Sequence, residues 1–176
     1  MSNKYSDTEI IIRRAVKDDM LAVTEMIQEL ADFEKMSEGP KITVKDLQRD
    51  GFECSPPAFR CLVAELKKGT GTIIAGYAIY FPIYSTWEGR SMLLEDLYVR
   101  TSERRRGLGD KLFDAVANEA HSEGCCRVDF HVLEWNNARS FYESKGAVNL
   151  TGWEQWCLYR LTGQALENAA RNASEK

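Results

Sequence analysis

Leu94-Glu95-Asp96-Leu97-Tyr98-Val99, followed closely by Arg104-Arg105-Arg106-Gly107-Leu108-Gly109-Asp110, decides how this chain is read. The first run has the composition of a strand; the second is an arginine-rich turn with two glycines that opens a helix. Glycines let the backbone come close to a ligand, and the unpaired N–H groups of a helix N-terminus point at it along a favourable dipole. The turn therefore suits a pyrophosphate. It is not a P-loop, because no Gly-Lys-Ser/Thr follows, and not a dinucleotide fingerprint, because Leu112 occupies the third glycine position. On these residues alone, a structural turn and a phosphate cradle both remain open. Glu95 and Asp96 interrupt a strand otherwise suited to burial, and acids there need a reason.

Working outward, Glu9–Arg13 is a β-branched opening strand. A helix capped by Asp18 or Asp19 follows, with Met20, Leu21, Ile27, Leu30 and Ala31 at helical spacing up to Phe33 and Glu34. Thr43 and Asp46 form a capping-box pattern for a short helix that Gly51 is expected to end. Phe59–Leu66, the turn Lys67–Gly71 and Thr72–Tyr84 read as a hairpin, with Gly76 marking a close backbone approach. After the strand Ser91–Arg100, the helix opened at Arg104–Gly109 runs to about Ser122. Its apolar stripe is Leu112, Phe113, Val116, Ala117 and Ala120. Cys125–Leu133 is β-rich, Ala138–Lys145 a short helix ended by Gly146, and Trp153–Leu161 a final strand. Residues 162–176 form a polar tail or weak helix. The expectation is one α/β domain over residues 1–176.

The chain has 176 residues, 44% hydrophobic and 28% charged, which is an ordinary globular balance. With 23 Lys+Arg against 27 Asp+Glu, the net charge is -4, so no broad cationic field attracts nucleic acid. No apolar run approaches the roughly 20 residues that span a bilayer, and the start lacks a signal-peptide core, so no membrane partner and a cytoplasmic location are expected. Five cysteines without CxxC spacing and two histidines predict free thiols and no metal site. Adjacent Cys125 and Cys126 are expected on a strand, one packed and one facing out.

A third feature is Trp135-Asn136-Asn137-Ala138-Arg139-Ser140-Phe141-Tyr142, an amide-rich loop leading into a helix before Gly146-Ala147. Taken with Arg104-x-x-Gly107-x-Gly109 after an acid-bearing strand, it resembles the Gcn5-related N-acetyltransferase (GNAT) superfamily over nearly the whole chain. Leu30-Ala31-x-Phe33-Glu34, Asp50-Gly51-Phe52, Cys61-Leu62-Val63-Ala64-Glu65 and Leu94-Glu95-Asp96 are similar to strings of its spermidine/spermine acetyltransferase branch. Phe33-Glu34-Lys35 and Ser85-Thr86-Trp87-x-Gly89-Arg90 look most like the thialysine N-epsilon-acetyltransferase members. The polyamine enzymes carry tyrosine at position 33 and an acid at position 85, so efficient polyamine acetylation is not implied.

The resemblance implies the GNAT fold: a mixed, mostly antiparallel twisted sheet with splayed central strands and helices on both faces. It also implies acetyl-CoA as cosubstrate, a small-molecule amine as partner, and a homodimer. Direct attack requires a deprotonated amine, yet a lysine-like ammonium has a pKa of about 10.4. Glu95 is the candidate base, acting directly or through water, with Asp96 helping to hold the cation; the plainer reading is an acid paired with an arginine. Tyr142 matches the proton donor to the CoA thiolate, against the plainer reading of a buried aromatic. Backbone groups of Leu97, Tyr98 and Val99 would bind the pantetheine arm. Amides of Arg104, Arg105, Arg106, Gly107, Leu108, Gly109 and Asp110 would cradle the pyrophosphate, and Asn136 would add a side-chain contact from a loop one residue shorter than usual. Phe33, Glu34, Trp87, Glu95, Asp96 and Glu154 match acceptor-pocket positions.

Overall fold

The computed structural model describes residues 8–69 and 71–174; Thr70, in the expected hairpin turn, lies outside them. The chain divides into two compact units, the first ending at His131 and the second beginning at Val132. The first unit carries a five-stranded sheet in the order β1-β2-β3-β4-β5. Its strands are β1 (Thr8–Arg14), β2 (Arg60–Lys68), β3 (Gly71–Ser85), β4 (Gly89–Val99) and β5 (Val128–Phe130). The first three pairings are antiparallel and β4–β5 is parallel.

Helix α1 (Met20–Phe33) covers one face, placing Met20, Val23 and Met26 on Val63, Tyr77, Ile79 and Tyr98. The α1 periodicity puts these apolar side chains on one stripe. Beyond α2 (Val44–Gln48), helix α3 (Leu108–Ser122) covers the other face with Leu108, Leu112, Val116 and Ala120, which meet Leu66, Ala78, Tyr80, Met92 and Leu94. Each fully buried Leu, Val or Met contributes about 1.5–3 kcal/mol. At Gly76 α3 and the sheet approach closely: a Cβ there would lie 2.8 Å from the Tyr98 carbonyl oxygen and 3.2 Å from Leu112 Cδ1.

Two registers shift by one residue. Glu65 pairs with Ile74 and Ala64 with Gly76, so Ala75 is extra in β3; Ile79 pairs with Asp96 and Tyr80 with Leu94, so Glu95 is extra in β4. The second bulge reverses the alternation of β4. Met92 and Leu94 join the α3-side core before it; Tyr98 joins the α1-side core after it, while Leu97 and Val99 pack toward α3.

Several elements differ from expectation. The short helix α2 begins with the capping box, Thr43 N and Oγ1 donating to Asp46 at 2.9 and 2.7 Å. Gly51 does not end it; the chain continues through a π-helical turn, Arg49–Glu53, because a Cβ at Gly51 would come 2.6 Å from the Phe59 ring. The expected strand Cys125–Leu133 shrinks to Val128–Phe130, and Cys125 and Cys126 lie in the turn before it. Cys125 packs against the α3-side core and Cys126 is exposed.

The second unit holds α4 (Ala138–Ser144), α5 (Thr151–Glu154) and α6 (Gly163–Ser174). Gly146, with φ 90°, follows α4 as expected. The expected strand Trp153–Leu161 does not form: α5 takes its first residues and the rest has no regular structure. An alternating apolar pattern becomes a strand only beside a neighbour that completes its hydrogen bonds, and no described strand pairs with it. Among the described residues, no helix is long and apolar enough to cross a membrane.

Candidate active site

Strands β4 and β5 part after a short contact. Met92, Leu93 and Leu94 pair with Val128, Asp129 and Phe130, and there the pairing stops. From Glu95 to Val99 the β5-side edge of β4 has no strand partner among the described residues, which leaves its backbone groups, apart from the Val99 carbonyl that Arg104 holds, without a ladder. Glu95 stands at the head of this open edge and, as the bulged residue, is exposed. Bulges re-aim side chains at such places.

The bulge turns Asp96 toward the C-terminal end of α1. There Asp96 and Glu34 form a half-buried carboxylate pair, and among the described residues no lysine or arginine pairs with either. Burial lifts the Glu34 carboxyl above its ordinary range, and the Asp96 charge lifts it further. Burial likewise raises Asp96; the Tyr77 hydroxyl, donating to Oδ2 at 3.0 Å, works against this, and Glu95 adds to it. Cys61 lies beneath, its thiol pushed up to about 12 by burial and by the charges of Asp19 and Asp96. Two acids held above their usual range without a protein cation create a demand for a positive ligand.

Arg104 ties this pocket to the turn. Its guanidinium carbon lies 5.6 Å from the Phe33 ring centre and 5.4 Å from that of Tyr98, while Nε donates to the Val99 carbonyl at 3.0 Å. Arg106 is bound by buried Glu103. Arg105 takes a left-handed φ of 61°, unusual for a residue with a Cβ, and Gly107 follows at φ 75° as the N-cap of α3. As a glycine, that N-cap brings no side-chain oxygen of its own to the first amides. A groove of about 670 Å³ runs beside the turn, lined by Ser102 to Arg106 with Thr8 and Ile10 of β1.

Trp87 is in the β3–β4 turn and 82% exposed. The seven residue steps of β4 from Gly89 to Asp96, one of them the bulge, put roughly 20 Å between that turn and the carboxylate pair. Ser85 is at the same end, its Oγ accepting from the Trp87 and Glu88 N–H groups at 3.2 Å each. In the second unit, Tyr142 is half-buried with its ring edge-on to Phe141 at 5.0 Å. The Asn136 side-chain oxygen accepts from Ala138 N–H at 2.9 Å and starts α4. Glu154 accepts from the Trp156 indole at 2.7 Å.

Two residues that shape the site were not foreseen. Tyr77 reads in sequence as one more core aromatic; its hydroxyl, 19 positions from Asp96, is the feature that matters. Arg100 follows β4 and binds α1 through Glu25 at 2.8 Å and through Glu29, which also accepts from the Tyr98 hydroxyl. A single arginine closing a strand gave no sign of this.

Thialysine N-epsilon-acetyltransferase of Mus musculus is 41% identical over 164 residues, covering 90% of this chain and 96% of that protein. Spermidine/spermine N(1)-acetyltransferase-like protein 1 of Homo sapiens is 34% identical over 90% of this chain, which spans 23% of that protein. An aminoglycoside N-acetyltransferase solved in complex with CoA shares the fold, with a TM-score of 0.68 at 18% identity over 89% of this chain and 97% of that one. The pattern of the acetyltransferase (GNAT) family, which uses acetyl-CoA, matches residues 24–147. That match runs from α1 through the parted strand and the glycine turn to the end of α4, so the chain belongs to the acetyltransferase (GNAT) family and is an N-acetyltransferase.

Proposed function

We propose that the enzyme transfers acetyl from acetyl-CoA, by direct attack, to the side-chain amine of thialysine or a similar lysine-like small molecule, with polyamines as weaker acceptors. The observation that carries this reading is the half-buried pair Glu34 and Asp96, which has no protein cation among the described residues and lies beside the bulged Glu95. The similarity to thialysine acetyltransferases along nearly the whole chain supports the same acceptor.

The cosubstrate supplies an activated acetyl thioester. The amine arrives as an ammonium, which Glu34 and Asp96 hold beside the Phe33 ring; Glu95 takes its proton, directly or through water. Backbone groups of Leu97 to Val99 on the open edge of β4 hold the pantetheine arm and polarise the thioester carbonyl. Amides from Arg105 to Asp110 cradle the pyrophosphate. The glycine N-cap of α3 and the open space around Gly109, whose added Cβ would meet no atom within 4 Å, support that role. Tyr142 supplies the proton that the thiolate needs, and Asn136 shapes the loop before it. The same reading makes the enzyme a cytoplasmic homodimer, and Trp87, roughly 20 Å along β4 from the carboxylate pair, takes no part in holding the ammonium within one chain.

Acetyl-CoA consumption against thialysine, lysine, spermidine and a histone-tail peptide tests this. Thialysine should give the highest kcat/KM. A preference of the unaltered protein for spermidine would replace this reading with the polyamine one, and a preference for the peptide would make the enzyme a protein acetyltransferase.

A further inference from the structure

The acceptor carboxylate rests on a tyrosine to which the chemistry above gives no part. Tyr77, on β3, is fully buried, with its ring centre 6.5 Å from that of Tyr98. Its hydroxyl donates to Asp96 Oδ2 at 3.0 Å. A buried phenol needs a partner, yet any acceptor would satisfy it. Here the partner is the one carboxylate that the β4 bulge turns toward the end of α1. The groups around that carboxylate are Glu34 from the end of α1, Cys61 from β2, Tyr77 from β3 and Glu95 from β4 itself. Of these only Tyr77 donates a hydrogen bond to it, and the other charges oppose its ionisation.

We propose that Tyr77 is a positioning residue for the acceptor: it holds Asp96 Oδ2, leaving Oδ1 for the substrate ammonium, and keeps the group a carboxylate while an acid neighbour and burial favour its neutral form. This rests on the assignment of Asp96 to the acceptor site. A phenol hydrogen bond to a carboxylate favours the ionised form. Without it, Asp96 takes up a proton at higher pH and then no longer offers the ammonium a full negative charge. The loss is therefore felt at the acid end of the working range and fades toward the alkaline end.

Thialysine binding to the full-length protein in saturating CoA, measured by calorimetry from about pH 5 to about pH 8, reads this directly, because an amine with a pKa of about 10.4 stays charged throughout. Tyr77→Phe should weaken binding about three- to tenfold at the acid end, with little change at the alkaline end. Asp96→Asn should weaken it across the range. An unchanged Tyr77→Phe profile, or equal weakening at every pH, overturns the positioning role while an affected Asp96→Asn leaves the acceptor site standing. If Asp96→Asn binds thialysine as well as the unaltered protein, or the unaltered protein does not bind it, the acceptor reading falls and this inference with it. Thermal melting checks that both variants are folded.

Discussion

Gly109 separates what the fold needs from what the ligand needs. It is the second residue of α3, in ordinary helical conformation, and a Cβ there would meet no protein atom within 4 Å. For the fold alone, Gly109→Ala is an improvement, since alanine is preferred over glycine in a helix by up to about 1 kcal/mol. For a protein of this size that raises Tm by about 2–4 °C. The cosubstrate meets the opposite effect. A methyl group at the helix N-terminus pushes a pyrophosphate away from the amides, and each charge-assisted hydrogen bond lost is worth about 1.5–3 kcal/mol. CoA affinity should fall about ten- to a hundredfold, and further in Gly109→Val. Scanning fluorimetry and calorimetry with CoA measure the two effects independently. A stabilised Gly109→Ala and a folded Gly109→Val that both bind CoA as tightly as the unaltered protein would refute the cradle.

Tyr142→Phe removes a single hydroxyl and should leave CoA affinity intact while slowing single-turnover acetylation by about a hundredfold, the low end of what a positioned acid supplies; an unchanged single-turnover rate would make Tyr142 a packing residue. Asp19 is a structural counterpart. Burial pushes its carboxyl up, but Arg13 at 2.6 Å and the Val16 N–H at 2.8 Å outweigh this and hold it below the ordinary range. A lowered carboxyl adds stability that is complete above the ordinary carboxylate range and lost as pH falls through the lowered value. Asp19→Asn should cost about 2–3 kcal/mol at neutral pH, less than a wholly buried pair because Arg13 keeps Glu65 as partner. In urea unfolding the gap should narrow in acid, and a constant gap would count against the ion pair.

Most of the scaffold was readable because it rests on local patterns: β-branched runs at β1 to β4, the α1 and α3 stripes, the Thr43–Asp46 box and the close approach at Gly76. The misreadings share one cause. Trp153–Leu161 has the pattern of a strand but no neighbouring strand to pair with, and sequence pattern says nothing of neighbours. Gly51 was read through its conformational freedom, whereas the Phe59 ring makes it necessary. The proposed site is open to sequence reading where it depends on residue type, as at Glu34, Glu95 and the glycine turn. It was not legible where it depends on register, as for Tyr77 beneath Asp96 and for Ser85 and Trp87 at the far end of β4.

The one-residue surplus at position 95 sets the phase of everything after it on β4. Loss of the residue would leave Leu94 and Asp96 as consecutive partners of Tyr80 and Ile79 and so keep the faces; drawing it into the ladder would not. Were Glu95 instead paired in ordinary alternation, Asp96 and Tyr98 would be carried to the side now held by Leu97 and Val99. A charge would enter the leucine layer under α3, and two aliphatic side chains would face the end of α1. Core and acceptor pocket are thus written in one reading frame. The frame holds as long as residue 95 stays out of the ladder, while its carboxylate answers to the proposed proton transfer.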